Sequence, residues 1–132
     1  MLYMLDTDIC SYLIKGTSPQ LLDNLNSHSK DKLAISSVTY AELLFGAERV
    51  NSIKIKDKVE AILQKVEIIE FAEEAAREYS NIRAILERNG TVIGNMDMLI
   101  AACARASKAI LVTNNEKHFG YVPKLKIENW TK

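Results

Sequence analysis

The stretch Leu2-Tyr3-Met4-Leu5-Asp6-Thr7-Asp8-Ile9 carries the decision about the fold. Four apolar residues in a row suit a short buried strand, and the carboxylate-hydroxyl-carboxylate triplet after them suits a helix N-terminus. Ile9, Tyr12 and Leu13 continue with helical spacing until Lys15-Gly16 stops the helix. The same alternation recurs along the chain. Ser18-Pro19 opens a second helix with Leu21, Leu22 and Leu25 on one face. Leu33-Ala34-Ile35 reads as a second strand closed by Ser36-Ser37, followed by a helix over 38–50 with Tyr40, Leu43, Leu44 and Ala47 at helical spacing. Ile55, Val59, Ile62, Leu63 and Val66 form another stripe, and Ile68-Ile69 a third strand. A helix over 73–88 turns Ala75, Tyr79, Ile82 and Leu86 inward and ends at Asn89-Gly90. Residues 98–102 are apolar nearly all round, which predicts a central buried helix. Residues 109–112 make a fourth strand and 125–127 a fifth. Helices alternating with short apolar strands predict a three-layer α/β/α fold around a mainly parallel sheet of four to five strands. No linker or repeat divides it, so residues 1–132 are read as one domain.

The composition narrows the function classes. The chain has 132 residues, 17 basic and 17 acidic, with 48% hydrophobic and 26% charged residues. Those proportions exclude a disordered, collagen-like or coiled-coil chain. Neutrality excludes a strongly basic domain that binds phosphate indiscriminately, so any nucleic-acid chemistry has to come from a local site. Cys10 and Cys103 are far apart and form no CxxC pair, which reads as two reduced, buried thiols. No basic leader precedes the first apolar run, and no run approaches the roughly 18 residues of a membrane span. A cytoplasmic protein without a membrane partner is the expectation.

In an open parallel sheet, sites form at the carboxyl ends of the strands. Asp6 ends the first strand and Asp8 follows two residues on. Glu42 lies in the helix after the second strand, Asp97 starts the buried helix, and Asn114-Asn115-Glu116 follow the fourth strand. Carboxylates brought together repel unless they are protonated or share a cation, and Mg²⁺ or Mn²⁺ prefers such oxygen donors. Each residue also has a structural reading. Asp8 could cap the first helix. Thr39-Tyr40-Ala41-Glu42 fits a capping box. Asp97 could complement a helix dipole, and Asn114-Asn115 could form a turn. Asp6, directly at a crowded sheet end, resists such an explanation most.

Four motifs in order, MLDTDI (4–9), SSVTYAELLFGA (36–47), IGNMDMLIAACA (93–104) and LVTNNEKHF (111–119), resemble the PIN-domain ribonucleases. The resemblance is nearest to the VapC-type toxins of bacterial toxin–antitoxin pairs, and it runs through to KIENW at 126–130. It implies an acidic site of Asp6, Glu42 and Asp97. Asn115 stands where the family often has Asp, Cys103 where it often has His, and Asp8 where it more often has Asn. Thr7 and Thr113 fall at positions near the metal. The resemblance further implies Mg²⁺, with Mn²⁺ as a substitute, held by Asp6 and Asp97. Glu42 would handle the attacking water's proton and Asn115 would position a water. The implied substrate is RNA, typically structured RNA such as tRNA, and the implied partners are a small antitoxin and a second copy of the chain.

Tyr12, Leu13, Leu43, Leu44 and Phe45 are candidates for an apolar antitoxin groove, with core packing as the other reading for the leucines. Lys54, Lys56 and Lys58 read as a solvated helix face, Arg83, Arg88 and Arg105 as a candidate pocket rim, and Trp130 as an anchor for the C-terminus. Two other functions compete. A receiver-like module also uses an acidic pocket and Mg²⁺, but it needs an acceptor Asp after a middle strand and a Lys after a late one; Glu70-Phe71 and Thr113 stand there. A catalytically inactive PIN-like binding module would not need Asp6, Glu42 and Asp97 together.

Overall fold

Leu2–Leu5 forms β1, the central strand of a five-stranded sheet, in a computed structural model that describes residues 1–132. β2 (Lys32–Ser36) and β3 (Glu67–Ile69) lie to one side, and β4 (Ile110–Val112) and β5 (Ile127–Glu128) to the other, in the order β3-β2-β1-β4-β5. Every neighbouring pair is parallel. The fully parallel arrangement demands helices on both faces, and seven supply them: α1 (Thr7–Lys15), α2 (Pro19–Ser27), α3 (Ser37–Val50), α4 (Ile53–Leu63), α5 (Glu73–Asn89), α6 (Asn95–Ser107) and α7 (Glu116–Phe119).

The two-residue period of the strands splits the core in two. Met4 and Leu111 point to one face, where Ile82, Leu86, Met98 and Ala101 bury them under α5 and α6. Tyr3, Leu5, Ile110 and Val112 point to the other, against Ile9, Leu21, Leu43 and Val59 of α1 to α4. The three-layer expectation therefore holds, and α6 is as buried as its composition predicts. Cys103 lies in the first core and Cys10 in the second, both free. No helix is long and apolar enough to cross a membrane.

Several local expectations are corrected. Asp6, not Asp8, caps α1: its Oδ1 accepts the Ile9 N–H at 2.9 Å, while Asp8 sits exposed in the first turn. The capping-box reading of Thr39 and Glu42 fails because α3 starts earlier, with Ser36 as its cap and the Thr39 N–H donating to Ser36 Oγ at 3.0 Å. Leu22 is 52% exposed while Leu21 is fully buried, because the two point to different sides of α2. The fifth strand begins at Ile127 rather than Leu125, since a turn through Pro123 and Lys124 delays the pairing. α7 was not anticipated; four residues carry too little periodicity to announce a helix.

The C-terminus is anchored as expected. Trp130 is 3% exposed, stacks on His28 with ring centroids 4.2 Å apart, and tilts against Tyr3 at 5.1 Å. Its indole N–H donates to Glu128 at 2.9 Å, and its carbonyl accepts from the Asn24 amide at 2.9 Å. Replacing Trp130 with Ala should cost about 3 kcal/mol, the usual loss for emptying a buried aromatic site. A fall in the urea midpoint at constant m-value is the expected signature.

Candidate active site

The strand order reverses at β1: the chain builds outward through β2 and β3, then crosses back to β4 and β5. The carboxyl ends of β1 and β4 adjoin at this switch point, the place where doubly wound sheets form a ligand-binding crevice. Asp6 follows β1 there, and its backbone N–H donates to Val112 O at 3.1 Å. The side chain is 3% exposed. One carboxylate oxygen caps α1 and the Thr113 hydroxyl also hydrogen-bonds the group. Burial nevertheless pushes its pKa up to about 6, with the Asp8 and Asp97 charges adding to the rise against the two hydrogen bonds.

Asp97 enters from α6, in the first turn. Partial burial raises its pKa, and the charges of Asp8 and Glu42 raise it further, while His118 pulls it down. Glu42 comes from the second turn of α3, where the Thr7 hydroxyl donates to its Oε1 at 2.6 Å. The Thr39 hydroxyl stands 3.2 Å from that of Thr7. Asp6, Asp8, Glu42 and Asp97 thus share one electrostatic field, as their spacing along the chain implied only if β1, β2 and β4 were neighbours.

Asn115 joins them indirectly. Its backbone N–H donates to Thr113 Oγ1 at 2.9 Å, and Thr113 in turn bonds Asp6. Its side chain is occupied with α7: the amide oxygen accepts the His118 N–H and the amide nitrogen lies 3.0 Å from His118 Nδ1. Asn115 is therefore the cap of a helix, not a turn residue. Two contributors escaped the sequence reading. His118 lies one helical turn beyond Asn115 and is the neighbour that lowers the Asp97 pKa. Asn129 donates to Asn114 Oδ1 at 3.1 Å and to Glu116 Oε2 at 3.0 Å, straddling Asn115 and pinning its loop. An i+3 spacing could have flagged His118; nothing local to Asn129 predicts a contact made across 13–15 residues.

Other sequence candidates lie elsewhere. Arg105 is on the last turn of α6, about 12 Å from Asp97 along the axis at 1.5 Å per residue. Its guanidinium pairs with Glu78 and Asn81, so it is no part of the rim. Arg83 bonds Glu87 and Tyr79 on its own helix, and Arg88 is exposed in the last turn of α5. Lys56 lies near Glu48, and Lys58 bonds the Ile14 carbonyl, consistent with a solvated face. The five apolar groove candidates do not form one groove: Leu43 is core, Leu13 lines a hollow of about 360 Å³ with Leu22, Leu25 and Ile62, and Phe45 lines a separate groove with Val38, Met96 and Leu99. That second groove includes Glu42 and so borders the acidic site. Burial lifts the thiols to about 12 for Cys10 and about 11 for Cys103, which removes both as nucleophiles.

The donor set suits a hard cation. It is all oxygen, and no three His, Cys, Asp or Glu side chains come close enough together to hold a metal ion by themselves. That is unlike a structural zinc site and compatible with Mg²⁺, which takes one or two carboxylates and keeps several waters. The raised Asp6 gives a test of this electrostatic frustration. A carboxyl at about 6 in the fold against about 3.9 unfolded destabilises the metal-free protein by ~3 kcal/mol once ionised. The fold binds the proton more tightly, so the penalty is absent below pH 4, grows up to pH 6 and is complete above it. Asp6→Asn keeps a capping oxygen and should raise the metal-free unfolding free energy at pH 7.5 but not at pH 4. Equal stability of the two proteins at both pH values would refute the assignment.

The comparisons with known proteins bear on the whole of this architecture. The PIN domain family model matches residues 3–125. Ribonuclease VapC2 of Rickettsia felis is 41% identical over the full length of both chains. The tRNA(fMet)-specific endonuclease VapC of Salmonella typhimurium is 33% identical over 97% of each. The VapBC2 structure from Rickettsia felis, bound to a DNA fragment from the promoter, superposes with a TM-score of 0.91 at 40% identity, covering 98% of this chain and 99% of that one. With a family model matching residues 3–125 and relatives 33–41% identical over nearly their whole length, the chain belongs to the PIN-domain family, among the VapC proteins.

Proposed function

We propose that this chain is a Mg²⁺-dependent endoribonuclease and the toxin of a toxin–antitoxin pair. The carrying observation is the buried Asp6 carboxylate at the β1/β4 crevice, held in one field with Asp97 and Glu42. Leaving such charges together costs stability unless a cation compensates them. Asp6 and Asp97 would hold Mg²⁺, for which Mn²⁺ can substitute. Bound there, the ion supplies the positive charge that a neutral protein lacks, neutralising phosphate and acidifying water. Glu42, oriented by Thr7, accepts the proton of the water that attacks phosphorus. Thr113 and the Asn115 backbone keep the Asp6 carboxylate aimed into the crevice. RNA is the substrate, in keeping with the names of the ribonuclease and tRNA(fMet)-specific endonuclease relatives. Structured RNA such as tRNA is the class proposed.

The partner reading rests on the VapBC neighbours and on exposed apolar surface. Phe45 is 65% and Met96 52% exposed, and the groove between them reaches Glu42. An antitoxin segment that follows this groove would arrive at the acidic pocket and close it. A homodimer is proposed as well, and a light-scattering mass of one chain at micromolar concentration would count against it.

Cleavage of total cellular RNA, followed by mapping of the new ends, tests the activity. Asp6→Asn and Asp97→Asn should abolish Mg²⁺-dependent cutting while leaving far-ultraviolet circular dichroism unchanged. Thr7→Val, which removes the hydroxyl that orients Glu42, should lower the rate by about 10–100-fold, the usual effect of losing an outer-sphere partner. A fully active Asp6→Asn protein would sink the assignment, and a wild type that cuts no RNA with Mg²⁺ or Mn²⁺ would leave only a binding module.

A further inference from the structure

We propose that a lysine-lined recess at the end of the sheet opposite the acidic crevice binds the phosphate backbone of RNA, a reading that rests on RNA being the substrate. The recess has a volume of about 260 Å³ and is lined by Arg105, Lys108, Ala109, Lys124, Leu125 and Lys126. Lys108 leads into β4 and Lys126 into β5, so both stand at the amino ends of strands whose carboxyl ends carry the site. From Lys108 to Thr113 the chain rises ~16 Å at about 3.3 Å per residue.

Three observations point to an anionic ligand. Lys108, Lys124 and Lys126 are exposed, and none has a carboxylate within ion-pair distance. In a chain of zero net charge, three uncompensated cations in one hollow are a local excess. The recess is also held in shape. Arg105, neutralised by Glu78, donates to Pro123 O at 3.0 Å and to Asn81 Oδ1 at 2.9 Å, and so fixes the turn that presents Lys124.

The third observation is backbone strain. Lys108 has φ 58° and Lys124 has φ 59°, two of the three non-glycine residues with positive φ in the chain. Glycine adopts that conformation freely and a residue with a side chain does not. Lys108 caps α6, where a cation favours the helix dipole, but the dipole accounts for neither Lys124 nor Lys126. Charge delivered to one hollow accounts for all three. Repeated phosphates, one reaching the crevice and others the recess, are the ligand that can span both ends. A trinucleotide, with only two neighbouring phosphates, cannot.

Fluorescence anisotropy of labelled tRNA, in EDTA so that nothing is cut, reads the binding. The variant Lys108→Gly/Lys124→Gly/Lys126→Gln should bind at least tenfold more weakly, and the slope of log affinity against log salt should become shallower by about 2. Its thermal midpoint should rise, because glycine relieves two strained positions. Lys108→Gln/Lys124→Gln/Lys126→Gln keeps the strain, removes the charge, and should lose the same affinity. Both variants should cut a trinucleotide with Mg²⁺ at the wild-type kcat. Affinity and salt slope unchanged from wild type in both variants, or no tRNA binding by the wild type, would overturn the recess while leaving trinucleotide cleavage to speak for the nuclease. Binding through the recess with no cleavage of any RNA would overturn the nuclease reading alone.

Discussion

A carboxylate removed from water without a compensating cation is the constraint around which this molecule is arranged. Asp6 cannot move outward, because its backbone extends the ladder to Val112 and its side chain caps α1. Nor can it be neutralised by a neighbouring base, since the nearest charges, Asp8 and Asp97, are acidic. The hydrogen bonds from Ile9 and Thr113 offset part of the desolvation but not all of it, which is why the group stays near 6. A site that keeps such an imbalance is prepared for a ligand that brings positive charge, and the stability it forgoes is the differential affinity it offers that ligand.

The residues that tie off helix ends also aim the site. Asp6 caps α1, Ser36 caps α3 just before Thr39 and Glu42, and Asn115 caps α7 beside Thr113. Capping satisfies backbone N–H groups that would otherwise be left open at the crowded end of a parallel sheet. It also fixes side-chain directions, so the Thr7–Glu42 and Thr113–Asp6 contacts form without long flexible side chains. Structural and chemical roles therefore coincide here instead of competing. Asp6 is both cap and candidate ligand.

This coincidence explains what could be read from the chain alone. The strands announced themselves through short apolar runs such as Leu2–Leu5, and α6 through an apolar stretch with no polar face. Asp6, Glu42 and Asp97 were legible because each lies one residue to two turns beyond a strand end or at a helix start, where topology alone brings them together. The caps read two and three residues late, at Asp8 and Thr39 instead of Asp6 and Ser36, because a helix start carrying several acceptors in succession does not say which of them faces the backbone. The Asn129 clamp and the tilt of Leu22 away from the core depend on long-range packing and leave no local trace. α7 is too short to show a period at all.

Neutrality of the whole chain conceals a polarity along the strands. At the carboxyl ends sit Asp6, Asp8, Glu42 and Asp97; at the amino ends of β4 and β5 sit Lys108 and Lys126, with Lys124 beside them. Equal totals of acid and base would normally argue against a protein that handles phosphate. Separated by the length of a strand, they do the reverse. In the proposed function the acidic end takes up phosphate only where a cation is bound, and its carboxylates repel loose RNA in the cation's absence. The basic end needs no cation and holds RNA by itself, more weakly as ionic strength rises. Only a ligand long enough to engage both ends, in the presence of the metal, gains the sum of the two contacts. In the proposed reading, selectivity for extended RNA follows from where the charges lie rather than from how many there are.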